Sequence, residues 1–103
     1  MIDDAQIREA GRRVAEAAPR ARVILFGSHA RGDAGPRSDL DILVIEPDVE
    51  NTALESVRLM RELRDLRLPV EIVVVSQNDA DNWRDVRGSL VHTAETEGRV
   101  LAG

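Results

Sequence analysis

Small and apolar residues recur at helical spacing near the start of the chain, at Ile7, Ala10, Gly11, Val14, Ala17 and Ala18. Such a repeat marks one buried helix face. Asp3-x-x-Gln6 ahead of it has the form of a capping box, and Pro19 marks the exit. The rhythm then changes. Residues 22–26 form a short apolar run that reads as a strand, and 40–46 form another that Pro47 closes. Thr52-x-x-Glu55 has the form of a second capping box, before Val57, Leu59, Met60, Leu63 and Leu66 on a helix that ends by Pro69. Residues 70–75, Val-Glu-Ile-Val-Val-Val, are the most β-branched segment and predict a third strand. Asn78 to Asp85 is polar and reads as a turn, 86–97 as a last helix with Gly98 as its stop, and Val100-Leu101 as a short apolar tail. The order α-β-β-α-β-α predicts an α+β fold, a small mixed sheet with helices packed on it, in a single domain over residues 1–103.

The first two predicted strands are joined by Gly-Ser-His-Ala-Arg-Gly-Asp-Ala-Gly-Pro-Arg-Ser-Asp-Leu-Asp, residues 27–41. Side chains two apart on a strand share a face, with alpha carbons roughly 6.5 Å apart. Asp39 and Asp41 therefore point the same way, and Leu40 and Ile42 point to the opposite face. Two carboxylates on one face repel unless a cation lies between them, and Mg²⁺ accepts one or two carboxylates plus phosphate oxygens. The Gly27-Ser28 turn is the complementary half, since backbone N–H groups opening a helical turn favour an anion such as phosphate.

Gly-Ser followed after ten residues by Asp-x-Asp resembles the nucleotidyltransferase superfamily of DNA polymerase beta. Gly-Ser-x-Ala-Arg-Gly-Asp-Ala with Ser-Asp-Leu-Asp resembles, more narrowly, the minimal nucleotidyltransferase (MNT) antitoxins that accompany HEPN toxins. The likeness is strong over residues 23–45 and looser elsewhere. It implies a polymerase-beta-type core in minimal form, in which Gly27 and Ser28 bind a nucleotide triphosphate and Asp39 and Asp41 bind divalent metal. It also implies a third carboxylate from a later strand. Glu71 is the acidic residue inside the third predicted strand, where the family more often has aspartate. Its stripe continues as Val73 and Val75, and a carboxylate in an apolar stripe is costly unless paired or metal-bound. The other reading of Glu71 is an exposed strand start or a partner for an arginine.

On this reading Asp39, Asp41 and Glu71 are catalytic and hold Mg²⁺, with Glu71 as general base for an attacking hydroxyl. Gly27, Ser28, Arg31 and Ser38 bind ATP. Arg31 lies one turn after Ser28 and can return its planar fork to the same phosphates. Ser28 can instead cap the short helix behind it, and Asp33 and Ser38 can tether the loop. His29, at the variable place of the motif, and His92 read as structural or exposed. Trp83 reads as an anchor for its segment or a partner surface, and Glu95 and Glu97 as a solvated helix face.

Composition trims the alternatives. The formal net charge is −5, with 19 acidic and 14 basic residues, which makes the chain a poor grip for a long nucleic acid. Every basic residue is arginine, which excludes a P-loop lysine, a Schiff base and a lysyl-adenylate. There is no cysteine, no apolar stretch near 20 residues and no signal-like N-terminus, so a cytoplasmic protein without a membrane span is expected. Larger members of the superfamily add a helical domain that holds the acceptor, and 103 residues leave none for it. The acceptor then comes from a partner, another subunit or a directly bound substrate. The family context implies a HEPN toxin adenylylated by this chain as antitoxin. The rivals are an antitoxin that neutralises by binding alone, and a transferase for a small-molecule acceptor.

Overall fold

The computed structural model describes all 103 residues. Helix α1 spans Asp4–Ala17, strand β1 Arg22–Phe26, helix α2 Ser28–Arg31 and strand β2 Leu40–Glu46. Helix α3 spans Thr52–Arg61, followed by a 3-10 turn at Arg64–Leu66 and strand β3 at Val70–Ser76. Helices α4 (Gln77–Trp83) and α5 (Leu90–Glu97) lead to strand β4 (Arg99–Ala102). The sheet order is β3-β2-β1-β4, with β1 antiparallel to both neighbours and β2 parallel to β3. The predicted mixed sheet is therefore present.

The capping box of α1 forms as predicted: the Asp3 carboxylate accepts from Gln6 N–H at 2.8 Å, and Gln6 Oε1 from Asp3 N–H at 2.9 Å. Ile7, Ala10 and Val14 pack on the face of the sheet that carries Val23, Leu25, Leu40, Ile42, Val44, Ile72 and Val74, and Leu59 and Leu63 complete this larger core. The opposite face carries Ile24, Leu43 and Ile45, covered by Ala80 of α4 and Val91 and Ala94 of α5. Strand β2 is buried on both faces, which explains its continuous apolar run.

Four expectations are corrected. Helix α3 is capped by Asn51, whose side chain accepts from Leu54 N–H, and not by Thr52. That earlier cap moves Glu55 past the box position, and its carboxylate binds Arg58 instead. Residues 78–85 are mostly helix, because Ser76 caps α4 by accepting from Asp79 N–H. The last helix begins at Leu90, where Ser89 supplies the cap, and Gly88 at φ 87° turns the chain just before it. The apolar tail is a strand: β4 fills the free edge of β1. Gly98 between α5 and β4 needs no special φ; a side chain there would overlap the carbonyl of Ala94 and crowd Ile24.

At the far end of β2, Glu46 lies beside Glu55, and its buried Oε2 has no hydrogen-bond donor. Burial, then the neighbouring Glu55, pushes the Glu46 carboxyl up to about 7, while hydrogen bonds from Arg58 pull Glu55 down to about 2. Glu46 therefore stabilises the fold while protonated, and this contribution is lost as pH rises from the ordinary 4.5 through about 7. Glu55 contributes above 4.5 and loses that only as pH falls through about 2. Thermal melts of the wild type should fall between about pH 4.5 and 7 relative to Glu46→Gln, which keeps a neutral side chain throughout, and run level with it above that range. Parallel melting curves for the two proteins over that range would show that no proton is held at Glu46.

Candidate active site

The site is assembled where β1 ends and β2 and β3 begin. In the parallel register Asp41 stands directly beside Glu71, and in the antiparallel register it faces Phe26, the last residue before Gly27. Strands lie about 4.8 Å apart, so two side chains at one register position and on one face are neighbours. Leu40 and Ile42 are fully buried on the larger core, so Asp41 points to the other face, in line with Leu43 and Ile45. Glu71 likewise continues into Val73 and Val75, which pack on the smaller core. For Asp41 against Leu40 and Ile42, the parity read from sequence is the parity observed. Asp39 and Glu71 are exposed and Asp41 is half-buried.

Gly27 provides the contact between the turn and the carboxylates. It has φ 76° and ψ −158°, open in practice only to glycine, and a side chain there would overlap Asp41 Oδ2. It occupies the N-cap place of α2, and no side chain caps that helix. Ser28 is therefore the first helical residue and not the cap, which removes its structural reading. Gly32, at φ 84°, closes α2 in the left-handed region and donates to the carbonyl of Ser28.

Arg31 is half-exposed at the end of α2, where its Nε donates to Asp33 at 3.2 Å and its Nη1 lies 3.9 Å from Glu97 of α5. Glu97 is thus tied to the site's arginine, and Glu95 pairs with Arg22 at 3.0 Å, so this face of α5 is not merely solvated. Neither pairing could be read from sequence, since both need the packing of α5. Ser38 Oγ accepts from Gly35 N–H at 2.9 Å and tethers the loop, as the sequence allowed. His29 Nε2 lies 3.3 Å from the Ser38 carbonyl, and His92 Nδ1 3.1 Å from that of Arg84. Trp83 is 51% exposed and so presents a surface instead of anchoring its segment in the core.

Burial raises the Asp41 carboxyl above the ordinary aspartate range, and the charges of Glu71 and then Asp39 raise it further. His29 and Arg31 oppose this in part. None of the ion pairs in the structure involves Asp39, Asp41 or Glu71, although the chain has fourteen basic residues, all arginine. The reading of Glu71 as an arginine's partner is thereby excluded, whereas the other alternative, an exposed position at the start of its strand, is what the structure shows. No three acidic or histidine side chains converge tightly enough to cage a metal alone. An open rim of hard carboxylate oxygens fits Mg²⁺ completed by phosphate oxygens and water, the mode of binding usual at phosphate-handling sites. The rim is a shelf and not a cleft: the largest cavity, about 540 Å³, lies elsewhere, between α1 and β4.

Residues 7–96 match the family model of the nucleotidyltransferase domain. The chain belongs to this family. No curated protein matches it at a significant level. Solved nucleotidyltransferase-type structures share its fold. A Sulfolobus solfataricus protein assigned as a nucleotidyltransferase is 23% identical with TM-score 0.60, over 93% of this chain and 76% of its own. A toxin–antitoxin structure with AMP-PNP is 22% identical with TM-score 0.67, over 93% of this chain and 73% of its own. A complex of tri-AMPylated Shewanella oneidensis HEPN toxin with MNT antitoxin is 19% identical with TM-score 0.65, over 99% of this chain and 73% of the matched one.

The Gly27–Asp41 contact is open to a double-mutant test. Gly27→Ala should cost about 1–3 kcal/mol in urea unfolding, from backbone strain plus overlap. Gly27→Ala/Asp41→Ala should lose less than the sum of the single variants, because removing Asp41 relieves the overlap. Strict additivity would mean that the turn and the carboxylate do not touch.

Proposed function

We propose that this nucleotidyltransferase moves AMP from ATP to a hydroxyl group on a partner protein, with Mg²⁺, acting as one minimal domain in the cytoplasm. The observation that carries the reading is the register that sets Asp41 beside Glu71, against the Gly27-Ser28 turn. Asp39, Asp41 and Glu71 would hold the metal. When bound, Mg²⁺ offsets negative charge on the attacking and leaving oxygens. Gly27, Ser28, Arg31 and Ser38 bind and orient the triphosphate, with Arg31 exchanging Asp33 and Glu97 for phosphate oxygens. Glu71 takes the proton of the attacking hydroxyl. The hydroxyl oxygen bonds to the α-phosphorus, the bond from that phosphorus to the bridging oxygen breaks, and pyrophosphate leaves.

An open shelf suits an acceptor presented by another protein. The toxin–antitoxin complexes that share this fold, one with an AMPylated HEPN toxin, support a HEPN-type toxin as that partner. The chain contains no tyrosine, so an AMP group found on tyrosine belongs to the partner. Added negative charge and bulk near the toxin's RNA site would block it.

ATP and Mg²⁺ together should raise the melting temperature more than the sum of either alone, because the triphosphate spans the turn and the carboxylates. In Asp39→Asn/Asp41→Asn that synergy should vanish while the apo protein still folds. Equal ATP affinity in this double variant with and without Mg²⁺, matched by the wild type, would sink the metal reading.

Co-expression with a HEPN partner separates catalysis from neutralisation by binding. Mass spectrometry should find AMP on the partner with the wild type and none with Asp39→Asn/Asp41→Asn. An unmodified partner that both versions neutralise equally would identify a binding antitoxin and refute the transfer reaction.

A further inference from the structure

The segment between α2 and β2 has no regular structure, yet it ends at Asp39. Its near end is fixed by Asp33 N–H donating to the Ser28 carbonyl at 3.1 Å. Its middle is a closed turn in which Ser38 N–H donates to the Gly35 carbonyl at 3.2 Å and Ser38 Oγ accepts from Gly35 N–H at 2.9 Å. Neither bond links this turn back to α2. His29 does, with Nε2 3.3 Å from the Ser38 carbonyl. A carbonyl only accepts, so Nε2 carries the hydrogen. On the other side of Asp39, Leu40 N–H donates to the Pro69 carbonyl at 2.8 Å. The Asp39 side chain itself is exposed and makes no hydrogen bond or ion pair, so its place is set by the backbone on either side.

We propose that His29 is a positioning residue, whose Nε2–H clamps the Ser38 carbonyl to α2 and thereby fixes the backbone that carries Asp39 at the start of β2. The inference rests on the metal-binding reading of Asp39 given above. His29 stands on the same single turn of helix as Ser28 and Arg31, so the clamp couples the phosphate-binding half of the site to its carboxylate half. Half-buried under the loop, it joins two segments that the sheet alone does not hold together.

Two variants separate the hydrogen bond from the bulk of the ring. His29→Gln can place an amide N–H near the Ser38 carbonyl, whereas His29→Leu fills space without a donor. In the unliganded protein, hydrogen exchange at the Ser38 amide should quicken about fivefold in His29→Leu, the scale of one hydrogen bond, and stay within about twofold of wild type in His29→Gln. The Mg²⁺ concentration giving half of the ATP-dependent rise in melting temperature should shift upward about fivefold in His29→Leu and return towards wild type in His29→Gln. Binding of ATP without Mg²⁺ should be equal in all three. The clamp is overturned if Gln behaves like Leu, or if neither variant differs from wild type in exchange. A wild type with no joint effect of ATP and Mg²⁺ would instead overturn the nucleotide reading and the purpose of the clamp, and the exchange rates would still decide whether the His29–Ser38 bond exists.

Discussion

Strand β2 is packed on both faces, with Leu40, Ile42 and Val44 against α1 and α3 and with Leu43 and Ile45 against α4 and α5. A slip of one residue in its pairing would turn each of these apolar side chains to the wrong face. Five buried aliphatic side chains, each contributing about 1.5–3 kcal/mol, hold that register. The position of Asp41 follows, because it is the half-buried polar residue at the start of the strand, where the helical cover gives out. The parallel partner β3 is fixed from the same side by Ile72 and Val74, and by Ser56 of α3 donating to the Ile72 carbonyl at 2.5 Å. Glu71 comes to Asp41 through core packing, with no attraction between the two carboxylates.

Strand β2 carries a half-buried carboxylate near each end, Asp41 and Glu46, and the two are handled differently. At its C-terminal end Glu46 and Glu55 share one net charge, and Arg58 binds Glu55 while donating also to the Ala17 carbonyl at 2.9 Å. That cluster offsets one carboxylate charge with Arg58 and knits α1 to α3, although Glu46 Oε2 keeps no donor. At the N-terminal end Asp41 is repelled by Glu71 and Asp39, and Arg31, whose charge reaches Asp41, is bonded to Asp33 instead. Left unpaired, such carboxylates oppose folding by repulsion and desolvation, a cost relieved by a cation. The contrast is the physical argument for ligand binding at one end of the strand and for structure at the other.

Much of this was legible along the chain because it is local. The Asp3–Gln6 box, the double burial of the strand over residues 40–46 and the turning of Asp41 away from Leu40 and Ile42 need only short-range periodicity. What escaped is set by distant partners or by caps. Strand β4 is four residues with Val100 exposed, and it is a strand because β1 offers it a free edge. Helix α4 buries only Ala80, so no apolar stripe announces it, and Ser76 as cap decides it. The pairing of Glu71 with Asp41 spans thirty positions and could be guessed from family resemblance but not from spacing. His29 was legible as structural or exposed, but its partner, the Ser38 carbonyl, is visible only in three dimensions.

The chemistry proposed here needs two separate recognitions. Nucleotide would meet the rim formed by Gly27, Asp41 and Glu71, whose geometry is fixed by the sheet. The acceptor protein would have to be held by other surfaces, because a shelf open to solvent gives little enclosure. Candidates for that contact are the exposed apolar side chains away from the rim, Leu54, Val57 and Met60 on α3 and Trp83, Val86 and Leu90 around the α4–α5 junction. Neither group contributes to the core, so substitutions there leave the register of β2 and β3 untouched. On the proposed reading, selection of the acceptor can therefore change without disturbing the carboxylates.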